Sequence, residues 1–88
     1  MITRDKKTLT GNFVRLVAET PVQPVVRYLE EKRILSDEHV EDILYQNTEK
    51  NKVRQLLIIL VRRGPKAFNT FVEALRSSDC DTLAELLV

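Results

Sequence analysis

The sequence predicts an all-α protein, a six-helix antiparallel bundle whose first helix is bent or broken. Three observations carry this. Apolar residues return at helical spacing along the chain, most regularly at Val53, Leu56, Leu57 and Leu60, which stand at i, i+3, i+4 and i+7. Capping residues and helix breakers separate the periodic segments at short intervals, so the helices are brief and their connections short. No segment alternates apolar with polar residues as a half-buried strand does, and no internal repeat, low-complexity tract or linker interrupts the pattern.

The first segment is amphipathic. Leu9, Phe13, Leu16 and Val17 recur at helical spacing with Lys6, Lys7 and Arg15 among them, and the poor helix formers Gly11-Asn12 predict a bend or break inside it. Thr20-Pro21-Val22-Gln23 reads as a helix start, with Thr20 as the cap and Pro21 at the first helical position. Pro24 would then remove the first intrahelical hydrogen bond, so the alternative start is Gln23 or Pro24, with the helix running to about Arg33.

In "ILSDEHVEDILYQ" Ser36 is a natural N-cap, Asp37 and Glu38 suit the first turn, and Val40, Ile43 and Leu44 form the apolar face of a third helix ending near Asn47. Thr48 caps the fourth, which carries Val53 to Leu60. The corner "RRGP" follows. Arg62 and Arg63 lie where cations favour a helix C-terminus, Gly64 suits a left-handed closing position, and Pro65 suits the first turn of the next helix. Phe68, Phe71, Val72 and Leu75 give the fifth helix its inner face. Ser78-Asp79-Cys80-Asp81 reads as a capping box opening a short sixth, with Leu83, Leu86 and Leu87 inward.

Eighty-eight residues suit one domain, because a chain of this length buries only roughly 60 to 65% of its unfolded surface and cannot divide that into two cores. At 43% hydrophobic and 31% charged residues, it has the apolar content a core needs and is not a disordered segment. The chain opens on "MITRDKK" and its longest apolar run is the six residues Leu56 to Val61, so neither a signal peptide nor a membrane span is expected. The single cysteine, Cys80, forms no internal disulfide, which points to a reducing, cytoplasmic location. The ending "ELLV" has no polar tail, and we expect residues 1–88 to be the N-terminal part of a longer protein.

No catalytic constellation is present. Cys80 sits in "SDCDTL", where two carboxylates raise a thiol pKa, and the lone His39 opens an acidic helix as a surface imidazole. Asp37, Glu38, Glu41 and Asp42 lack the glycine-containing turn of a calcium loop, and the two glycines are isolated and form no phosphate loop. We therefore expect no metal and no cofactor, and do not expect an enzyme in this segment.

The net charge of +1 conceals a pattern. Residues 48–66 hold six basic groups and one acidic (+5), whereas residues 21–47 hold three and six (−3). Lys50, Lys52 and Arg54 make one basic helix, while Glu30, Glu31, Asp37, Glu38, Glu41 and Asp42 gather on two others. Opposite patches on one small bundle favour head-to-tail contacts with a relative or with copies of the same chain. A DNA-binding helical domain is the competing class; no helix-turn-helix pattern or aromatic interleaving supports it, so no nucleic acid and no membrane is expected as partner.

The segment "KVRQLLIILVRRGPKAFNTFVEAL", residues 52–75, resembles the fourth helix, corner and fifth helix of a caspase recruitment domain, the death-fold module of apoptotic and inflammatory signalling. "YLEEKRILSDEHVEDI" and "DTLAELL" are similar to other parts of that family, most of all to initiator-caspase prodomains and their adaptors. The resemblance spans essentially all 88 residues, and a first helix divided in two is common in the family. It implies a homotypic interaction module that recruits an initiator caspase to an apoptosome-like activating scaffold. The alternative is a polymerising adaptor in inflammatory or innate immune signalling.

The implied partner is another protein with such a domain, whether scaffold, caspase or adaptor, and self-association is a further expectation. The implied basic surface is Arg15, Lys50, Lys52 and Arg54; the acidic one is Glu30, Glu31, Asp37, Glu38 and Glu41. One departure stands out: the position aligned with Phe13 is often basic in initiator-caspase prodomains. Either Phe13 is a core residue or the first helix contributes less charge. The protease residues of caspases have no counterpart here, although the full-length protein would be a caspase zymogen if a protease domain follows.

Overall fold

A computed structural model describes all 88 residues and contains seven α-helices and no strand. They are α1 (Thr3–Gly11), α2 (Phe13–Glu19), α3 (Val22–Glu31), α4 (Asp37–Leu44), α5 (Glu49–Leu60), α6 (Ala67–Ser77) and α7 (Asp81–Glu85). The count exceeds six because the first helix divides at Asn12. This residue leaves helical geometry at φ −113° and ψ 13°, and its amide group donates back to the Thr8 carbonyl at 2.9 Å.

The core is a single cluster of 22 buried apolar residues drawn from every helix, from Leu35 in the α3–α4 turn and from Leu87 after α7. α3 packs most extensively on α6, and α5 packs on α2, α3 and α4. Val53, Leu56, Leu57 and Leu60 are all buried, as the spacing predicts. Leu56 is fully enclosed, so its truncation to alanine costs about 2 to 5 kcal/mol.

Several helix ends differ from the sequence expectation. Pro21, not Thr20, is the N-cap of α3, and Thr20 is buried in the preceding turn with no protein partner for its hydroxyl. With Val22 as the first helical residue, Pro24 falls third, where its missing N–H removes no intrahelical bond. Gly64 is not left-handed; the only residues with positive φ are Arg33 (62°) and Asp79 (61°). Each closes a helix as the residue after the C-cap. Arg33 donates to the Glu30 carbonyl and Ile34 to that of Leu29; Asp79 and Cys80 repeat this on Arg76 and Leu75. Asp79 therefore terminates α6, and the expected capping box at Ser78 does not form. Pro65 lies in the turn before α6 instead of inside it, and Leu86 is partly exposed.

Candidate interaction surfaces

The end of α3 and the start of α4 build the acidic surface. Ser36 accepts from the His39 backbone N–H at 3.3 Å, while His39 Nδ1 accepts from the Ser36 N–H at 3.1 Å. This reciprocal cap fixes the first turn of α4 and gives the lone histidine its structural role. The tight α3–α4 turn then brings Glu30 and Asp37 into one recess shared with Arg33, Ser36 and Arg63. Hydrogen bonding between the two carboxyl groups is the main cause that holds Glu30 above the ordinary carboxylate range; partial burial and the Asp37 charge add to it, and Arg27 opposes it.

Glu31 faces a different recess, beside Gln23, Pro24, Arg27 and Tyr28. Glu38 and Glu41 stand exposed on α4, along with Asp42. None of these six carboxylates makes an ion pair within the chain. By contrast, Asp5, Glu19, Glu49, Asp81 and Glu85 are all paired. Internal compensation is thus concentrated outside the α3–α4 surface.

The four basic residues divide similarly. Arg15 donates to Glu19 one turn along α2 at 2.8 Å. Lys52 is only 21% exposed in its side chain and lies 3.9 Å from Glu49. Lys50 and Arg54 have no acidic partner within the chain, and Arg54 is held instead by a 2.6 Å hydrogen bond to Asn51 Oδ1. One turn apart on α5, they flank a groove of about 140 Å³ whose remaining walls are Phe13, Val14, Val17 and Ala18 of α2. Arg15 does not line this groove.

Phe13 therefore does two jobs: its half-buried ring packs on the core and also forms a groove wall. At this position the groove wall is apolar. Val14, which no periodicity flags, is 83% exposed beside it. The groove occupies the N-terminal part of α5, whereas Arg63 joins the Glu30–Asp37 recess just beyond the other end of that helix. α5 is about 18 Å long, so the groove cations and the Glu30–Asp37 recess lie at opposite ends of it.

No nucleophile is prepared. Burial pushes the Cys80 thiol up, and Asp79, Asp81 and Glu19 push it further. No group of three or more His, Cys, Asp or Glu residues converges as a metal site, and no helix is long and apolar enough to cross a membrane.

Caspase-2 of Gallus gallus is 31% identical over 83 residues, which cover 94% of this chain and 20% of that protein. The chain thus spans about a fifth of the length of that relative. The family model described as caspase recruitment domain matches residues 6–88, and the chain belongs to the caspase recruitment domain family.

Proposed function

We propose that this domain recruits an initiator caspase to an activating scaffold of the apoptosome kind, as the N-terminal prodomain of the caspase itself. Caspase recruitment domains are non-catalytic, homotypic interaction modules, so the domain acts by bringing proteins together and the chemistry belongs elsewhere. Tethering raises the effective concentration of attached protease domains and promotes their pairing. The likeness to Caspase-2 supports a caspase zymogen as the whole protein, with residues 1–88 as its recruitment domain and the cytoplasm as its location.

One observation carries the reading of the surface. Lys50 and Arg54 remain without acidic partners beside an apolar groove, and the carboxylates of α3 and α4 remain without basic ones. Unpaired charges gathered by sign are available to a partner of opposite sign. We assign Lys50 and Arg54 the leading basic contacts, with Arg15 and Lys52 at their margin. On the acidic side we assign Glu30, Asp37, Glu38 and Glu41 the contacts with a basic partner face, and Glu31 a peripheral one.

Each exposed ion pair contributes only about 0.2 to 1 kcal/mol, so several act together and binding weakens as salt rises. Titration calorimetry with the recruitment domain of an apoptosome scaffold tests this. Arg54→Glu abolishes binding while leaving the thermal midpoint nearly unchanged; unaltered affinity in that variant removes Arg54 from the interface.

A further inference from the structure

Only two tyrosines occur in the chain, and the fold treats them oppositely. Tyr28 is half-buried on α3, packs against the core and carries the Lys32 ammonium over its ring, 5.5 Å from the centroid. Tyr45 is 86% exposed, more than any other large apolar side chain. It ends α4: its backbone is still helical, at φ −67° and ψ −24°, and its N–H donates to the Glu41 carbonyl at 2.9 Å, but residues 46–48 leave the helix. Glu41 and Asp42, one turn back, are both exposed and adjoin its side chain on the helix surface.

We propose that Tyr45 is a phosphorylation site for a tyrosine kinase that selects acidic substrates, and that Tyr28 is not. In the reaction Tyr45 Oη attacks the γ-phosphorus of a nucleoside triphosphate. A new O–P bond forms, the bond from that phosphorus to the β,γ-bridging oxygen breaks, the phenol proton passes to the general base of the kinase, and the nucleoside diphosphate leaves. Three features suit Tyr45 to this. Its ring stands clear of the bundle, where the cleft of an enzyme can enclose it. Glu41 and Asp42, with Glu38 a further turn back, present the charges that a basic substrate groove attracts and orients. The chain also leaves the helix directly after Tyr45, so entering a cleft as a short extended segment requires only the last turn of an eight-residue helix to open.

The added phosphate carries a charge of about −1.5 to −2 at neutral pH. It stands beside Glu41 and Asp42 at the C-terminal end of α4, where the helix dipole also disfavours an anion. Modification therefore loosens the last turn of α4 and at the same time makes its outer face more acidic. The inference does not depend on the recruitment reading, because the domain is a substrate whether or not a scaffold binds it.

Incubation of the folded domain with MgATP and the catalytic domain of such a kinase tests it, with a glutamate–tyrosine copolymer modified in parallel as the positive control. Intact mass and peptide fragmentation then locate the phosphate in wild type, Tyr45→Phe, Tyr28→Phe and the double variant Glu41→Gln with Asp42→Asn, and thermal melts check that all four fold. The wild type gains one phosphate, at Tyr45; Tyr45→Phe gains none, and Tyr28→Phe is modified at the wild-type rate. The double variant is modified roughly fivefold to tenfold more slowly. Complete phosphorylation lowers the thermal midpoint of the wild type by about 2 to 5 °C at low salt and moves that of the double variant less. Phosphate on Tyr28 shows that the kinase reads the unfolded chain and overturns the proposal. So does no incorporation, a double variant modified as fast as wild type, or a midpoint that complete modification leaves unmoved.

Discussion

Arg63 donates through Nε to the Ile34 carbonyl at 2.8 Å, tying the corner after α5 to the turn between α3 and α4 across 29 residues of sequence. The Arg63 carbonyl in turn accepts from the N-terminal ammonium of Met1 at 2.7 Å. One residue thus fastens three segments, and the turn it fastens is the one that pairs Glu30 with Asp37. Arg63→Ala removes a part-buried, charge-assisted hydrogen bond and lowers unfolding free energy by about 1 to 3 kcal/mol, measured by urea denaturation. An unchanged midpoint contradicts that role.

The two left-handed residues are where glycine would help. Arg33 holds φ 62° at the end of α3, a conformation that costs an L-residue about 1 kcal/mol or more. Arg33→Gly therefore stabilises the domain by about 1 kcal/mol, whereas the β-branched Arg33→Val destabilises it. Gly64 has no such need, and a Cβ placed there meets nothing within 4 Å. Gly64→Ala is accordingly neutral or stabilising by up to about 1 kcal/mol, through the lower entropy of the unfolded chain. Thermal melts of the three variants give the order.

Glu30 titrates above the ordinary carboxylate range chiefly because it shares a hydrogen bond with Asp37. A raised folded-state pKa means that the pair favours the fold below the unfolded-chain value and that this contribution is lost as pH rises through the folded value. The charge of Asp37 adds to the rise at Glu30, and a basic partner docked on this face would offset it. Carboxyl-detected NMR should place the Glu30 midpoint above normal in the wild type and nearer normal in Asp37→Asn. Binding through this face should weaken as pH falls through the raised midpoint; a pH-independent affinity argues against it.

Cys80 should be a slow nucleophile. Burial first, then Asp79, Asp81 and Glu19, hold its proton on, so alkylation by iodoacetamide near pH 8 runs slower than that of a free thiol. Asp81→Asn speeds it. A wild-type rate matching the free thiol contradicts this environment.

The helices were legible in the sequence because their inner faces repeat at the helical period and because Ser36 and Thr48 cap where side-chain chemistry requires. The break at Gly11-Asn12 was legible for the same local reason. The closures at Arg33 and Asp79 were not, since a left-handed residue is fixed by the backbone bonds of the turn and by the packing that follows it, and glycine is only the commonest occupant. Of the site, the segregation of charge was visible. Two signals were present and unused: Arg15–Glu19 at i, i+4 and Glu49–Lys52 at i, i+3 reveal which cations are already paired. The groove itself exists only once α2 docks on α5, so Val14 beside Lys50 and Arg54 had no signature along the chain.

The most direct test of recruitment through the Lys50–Arg54 groove is sedimentation velocity of the domain mixed with the recruitment domain of an apoptosome scaffold, at low and physiological salt, for wild type and Arg54→Glu. A mixed complex that weakens with salt and is absent from the folded variant is the predicted result. A complex indifferent to salt and to the substitution, or none at either ionic strength, contradicts it.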